Sequence, residues 1–125
     1  NAYTALWTEY QELTSSIPLL NVIRRILQYY FLELCGYQGS NIRDIILKKN
    51  KSEFIKKRAD GTIDDTDYHL ASSMLSYIDN ECSFIDGFNL VQEALDPEQY
   101  RKVMKKIFEK LEQSQHYRMM THEKD

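Results

Sequence analysis

The chain has 125 residues, a length that suits one domain with its own hydrophobic core. Hydrophobic residues make up 42%, charged residues 28%, and the formal net charge is -3, which excludes a strongly basic nucleic-acid binder. Only 4 Gly and 2 Pro occur, too few for a turn-rich β fold, so the expected class is all-α.

The first expected helix covers Tyr3 to Leu13, where Leu6, Trp7, Tyr10 and Leu13 recur at helical spacing. Thr14, Ser15 and Ser16 interrupt it. Ser16 is expected to cap a second helix, with Pro18 in the first turn, where a missing N–H does no harm. This helix is expected to reach Cys35, with Gly36 as a left-handed cap. At about 100° per residue, Leu20, Ile23, Leu27, Tyr30, Phe31 and Leu34 form one broad apolar arc. Asn21, Arg24, Arg25 and Gln28 fill the opposite arc, with Cys35 beside them. Arg24 and Gln28 are one turn apart, as are Asn21 and Arg25, so this side presents a polar pocket. An arginine fork suits phosphate or carboxylate. Ion pairs with a neighbouring helix would produce the same pattern.

Ser40 or Asn41 opens a shorter helix through Ile42, Ile45 and Ile46. Phe54 and Ile55 are expected to anchor a short helix, and Asp60-Gly61 marks a turn. A long helix is expected from Asp64, with Ala71, Met74, Leu75 and Ile78 at three and four. Asn80 to Asn89 reads as irregular, with a turn at Asp86-Gly87. The last helix has the clearest start: Asp96 as N-cap, Pro97 first, and Gln99 closing a capping box. Tyr100, Val103, Met104, Ile107, Phe108 and Leu111 form its apolar stripe, with Lys102, Lys105, Lys106 and Glu109 outside. The tail HYRMMTHEKD is too short and polar to form much alone. The expected result is one all-α domain over residues 1–125, a compact bundle of five or six helices.

Lys48, Lys49, Lys51, Lys56, Lys57 and Arg58 crowd one segment, which reads as a solvated face or as a patch for nucleic acid or an acidic partner. A second run holds Lys102, Lys105, Lys106 and Lys110. Cys35 and Cys82 are the only cysteines and read as free thiols of a reducing cytoplasm. No segment has the length and apolarity of a membrane span. There is no phosphate loop, and His69, His116 and His122 lack zinc-ligand spacing, so no metal or cofactor is expected in this domain. The chain begins at Asn1 rather than Met, and is read as part of a longer protein.

Four stretches in order, LWTEYQEL, NVIRRILQYYFLELCG, SYIDNECSFIDGF and IFEKLEQSQHYRMM, cover nearly the whole chain. Together they resemble the C-terminal region of the AAA_13-type bacterial ATPases, SMC/ABC-like proteins that include the anticodon nucleases RloC and PrrC. The family pattern reads roughly N-x-x-R-R-x-L-E-x-Y-F, then G-S-H-S, then I-F-E and H-Y-x-M-M. The resemblance implies that ATP and Mg²⁺ are bound upstream of this region, in a parent protein of phage defence. It also implies a HEPN-like effector that cuts RNA with an R-x-x-x-E pair and a histidine. Arg24 matches the arginine, while Gln28 stands at the glutamate position and Cys82 at the histidine of G-S-H-S. His116 and Tyr117 match the H-Y pair; the tail reads first as a C-terminal strap packing on the body, with His116 a further candidate for an imidazole near Arg24. A metal-independent ribonuclease needs a base for the 2′-hydroxyl and an acid for the leaving group. With Gln28 and Cys82 in those places, the site is expected to be degenerate. The expected role is then self-association or docking of an effector. The alternative is a tRNA-cleaving ribonuclease, or an unrelated adaptor whose face is Lys48 to Arg58.

Overall fold

The structure is a computed structural model that describes residues 1–79 and 96–123. Helix α1 spans Ala2–Glu12 and is opened by Asn1, whose side chain accepts from the Thr4 N–H at 2.8 Å. Trp7 and Tyr10 are fully buried, and Leu6 and Leu13 half-buried, as the spacing required.

Helix α2 spans Ser16–Leu27. Its N-cap is Ser15 rather than the expected Ser16, so Pro18 sits at the third helical position, where its missing N–H is still one of the orphans of a helix start. Leu19, Leu20, Val22, Ile23, Ile26 and Leu27 are all buried, and α2 touches α1 and the later long helices. Burying each such side chain contributes about 1.5–3 kcal/mol, which makes α2 the centre of the core.

From Gln28 the helix continues as a π-helix over Gln28–Leu34. The Cys35 N–H donates to the Tyr30 carbonyl at 2.9 Å, an i→i+5 bond. Each turn then holds more residues, and the 100° projection stops applying. Tyr30 and Phe31 stay inside, but Leu34, expected on the apolar arc, turns out to 56% exposure. Gly36 has φ +72° and ends the segment, as anticipated. That turn lets the Tyr37 N–H reach the Phe31 carbonyl at 2.8 Å.

Asn41 opens the next short helix by accepting from the Asp44 N–H at 2.8 Å, and Asp44–Lys48 is again π-helical, burying Ile45, Ile46 and Leu47. A 3₁₀ turn at Lys51–Phe54 buries Phe54. The Asp60-Gly61 turn, with Gly61 at φ +88°, joins two minimal antiparallel strands, β1 (Lys56–Lys57) and β2 (Ile63–Asp64), with Lys56 opposite Asp64. The expected start of the long helix at Asp64 is corrected to Thr66: Asp64 belongs to β2, and its carboxylate accepts from the Thr66 N–H at 3.0 Å.

Helix α3 spans Thr66–Asp79 and buries Ala71, Met74, Leu75, Tyr77 and Ile78. The Asn80 to Asn89 reading, Asp86-Gly87 included, lies outside the described residues. Helix α4 spans Pro97–Lys110, with the full Asp96–Gln99 capping box. Its stripe from Tyr100 to Leu111 is buried as expected. The tail packs on the body, where Ser114–Thr121 forms helix α5. Tertiary contact supplies what local propensity could not: Tyr117 is buried, and α5 packs on α1 and α4.

Helix dominates throughout, and the two-residue strands make only a small hairpin, so the fold is an all-α bundle. Among the described residues, no helix is long and apolar enough to cross a membrane.

Candidate functional site

The polar arc of α2 lies on the outside. Asn21, Arg25 and Gln28 are exposed and Arg24 is half-buried. Arg24 and Gln28 line a cleft of about 230 Å³ with Leu32, Gly39, Ser40, Asn41, Ile42, Ile45, Ile78 and Asp79. The two π-helical segments form its sides, and Gly39 lies where they approach. A Cβ placed on Gly39 would come within 2.6 Å of Ile45 Cγ1, so only glycine fits without displacing the wall.

Among the described residues, Asp79 is the titratable acid that lines this cleft. Its two carboxylate oxygens accept from the Ile42 N–H at 2.7 Å and the Arg43 N–H at 2.6 Å, tying α3 to the start of the second π-helical segment. Burial raises its pKa, opposed by those two backbone donors. Arg43 adds a bond from Nε to Ser72 Oγ at 3.0 Å. Spacing linked neither Asp79 nor Gly39 to Arg24. Asp79 lies within the SYIDNECSFIDGF stretch, but nothing local shows that it reaches the Asn41 turn.

His116 is elsewhere. Its ring stacks on Tyr30 with centroids 4.1 Å apart and an interplanar angle of 16°. Tyr3, Phe108 and Trp7 complete the surround, at 5.8, 6.1 and 6.1 Å. Nε2 lies 2.7 Å from the Tyr3 hydroxyl. Burial lowers the His116 pKa and favours the neutral ring. This aromatic stack and the described lining of the Arg24 cleft share no residue. His122 is exposed. Cys82 lies outside the described residues. Cys35 is an exposed free thiol.

The six basic residues are exposed, but acids and polar groups are interleaved among them. Lys56 lies 3.9 Å from Asp67 and Arg58 3.9 Å from Asp64. The Lys51 ammonium sits over the Tyr68 ring at 5.1 Å, and Lys49 reaches the Gln38 carbonyl at 3.5 Å. Lys48 and Lys57 point to solvent. The second run converges on the same acid: Lys106 is 2.7 Å and Lys110 3.9 Å from Asp67, whose side chain is only 12% exposed. Asp67 therefore gathers lysines from both basic runs. Lys105 pairs with Glu123 at 2.9 Å, which fastens the tail after α5.

Among the described residues, no three His, Cys, Asp or Glu side chains gather as a metal ion requires, and there is no phosphate loop. Compared with known proteins, the chain matches no family model, no curated protein and no solved structure.

Proposed function

We propose that this chain is a non-catalytic helical docking domain that self-associates or holds an effector, as the C-terminal domain of a cytoplasmic AAA_13-like ATPase in phage defence. One observation carries the reading: among the described candidates for RNA cleavage, Arg24 and Gln28 fall in one place and His116 in another. Arg24 and Gln28 line the cleft, whose described lining contains no histidine, and His116 is enclosed by Tyr3, Tyr30 and Phe108. Gln28 has no proton to exchange near neutral pH, and both Asp79 oxygens are engaged by backbone amides. General acid–base chemistry needs two groups free to trade protons.

The alternative is a HEPN-like ribonuclease. It is favoured by Arg24 and Asp79 sharing one open cleft, where the pair would hold a phosphate and serve as base. Incubation with total tRNA separates the two. The docking reading expects intact RNA at all times. Specific cuts that disappear in both Arg24→Ala and Asp79→Asn would establish the alternative.

A further inference from the structure

On the face of α2 next to the cleft, a second groove of about 470 Å³ runs between α1 and the α2–π-helix rod. One wall comes from α1, where Ala5, Leu6 and Glu9 follow each other at helical spacing. The other comes from Arg25, Tyr29 and Glu33. Ala5 is small and exposed, so a helix can approach that wall closely. Leu6 and Tyr29 supply the apolar surface, with Tyr29 at 37% exposure and braced by the Tyr3 ring at 4.7 Å. The three charged groups are exposed, and among the described residues none of them forms an ion pair within the chain.

This patch carries both signs, with acid on each wall and one base. Across a two-fold axis, where a residue meets a second residue of the same patch in the other copy, the same pair recurs with the copies exchanged. Such an axis can therefore set Glu9 of one copy against Arg25 of the other, twice over, with Leu6 and Tyr29 meeting at the centre. A partner of one charge sign would leave either Arg25 or the two glutamates opposed by like charge.

We infer that the groove between α1 and α2 is the contact of a symmetric homodimer, closed by reciprocal Glu9–Arg25 pairs. The inference rests on the docking reading above and names the partner of one surface as a second copy of this chain.

Sedimentation or light scattering of the purified chain tests it. The expected mass is that of two chains, falling to one chain in Arg25→Glu and in Glu9→Arg. These residues are exposed, so both variants keep the fold, which circular dichroism verifies. Mixing the two variants is expected to restore the mass of two chains, because each then offers the other an opposite charge. A single-chain mass at all concentrations overturns the inference. So does a dimer that ignores both variants, or variants that stay monomeric when mixed. A monomer would leave the non-catalytic reading standing, since the tRNA assay decides that separately.

Discussion

The Tyr3 hydroxyl and the His116 Nε2, 113 residues apart in the chain, lie 2.7 Å from each other. That contact joins the first helix to the last. It also defines what His116 does: the ring is a stacked member of an aromatic core formed with Tyr30, Phe108 and Trp7.

The sign of the pH dependence follows. Burial lowers the folded-state pKa of His116 below the 6.5 of an unfolded chain. As pH falls through 6.5 toward that lower value, the unfolded chain binds a proton that the folded one resists, and stability falls. His116 contributes fully above 6.5. Denaturant melts at pH 8 and pH 5.5 should show a smaller loss on acidification for His116→Phe than for the natural chain.

Arg101 on α4 closes the C-terminal end of α1. Its Nε and Nη2 donate to the Tyr10 carbonyl at 3.1 and 2.8 Å, and Nη2 also reaches the Leu13 carbonyl. Hydrogen bonds to a charged group are worth about 1.5–3 kcal/mol each, and orphaned helix-end carbonyls add cost. Arg101→Ala is expected to cost about 2–3 kcal/mol in urea melts. Arg101→Lys should recover less than half, because an ammonium cannot span both carbonyls as a planar fork does.

Tyr10 and Tyr117 share a buried hydroxyl–hydroxyl bond of 2.8 Å, and burial drives both phenol pKa values up, Tyr117 to about 12. Tyr10→Phe strands the Tyr117 hydroxyl, at a cost of about 1–3 kcal/mol, whereas in Tyr117→Phe the Tyr10 hydroxyl keeps the Arg101 carbonyl at 3.4 Å and the cost is smaller. The double variant strands none. A thermodynamic cycle should therefore give a double-variant loss smaller than the sum of the two singles.

Gly39 and Gly36 should respond differently to alanine. At Gly39 the added methyl meets Ile45 Cγ1 at 2.6 Å, and displacing a packed wall costs about 1–3 kcal/mol. At Gly36 nothing lies within 4 Å, and the cost is the left-handed backbone alone, about 1–2 kcal/mol. Gly39→Ala alone is expected to shift NMR resonances of Ile45 and the cleft.

Local patterns explain much of this fold. The Asp96–Gln99 box, the stripe from Tyr100 to Leu111, the Gly36 cap and the Asp60-Gly61 turn are each written within a few residues. The outward placement of Asn21, Arg24, Arg25 and Gln28 is likewise a matter of helical spacing, and holds up to Leu27. Beyond that the π-helix changes the period, and Leu34 departs from its expected side. Contacts across the chain left no such trace. Asp79 reaching the Asn41 turn, Asp67 gathering Lys56, Lys106 and Lys110, and α5 forming on α1 all depend on tertiary packing.

The most direct test of the separation between the Arg24 cleft and His116 is the His116 pKa, read from its ring resonances by NMR across pH. The expected value lies below 6.5 and is the same in the natural chain and in Arg24→Ala. A value that rises when Arg24 is removed, as loss of a neighbouring positive charge would produce, would contradict the separation, and with it the non-catalytic reading.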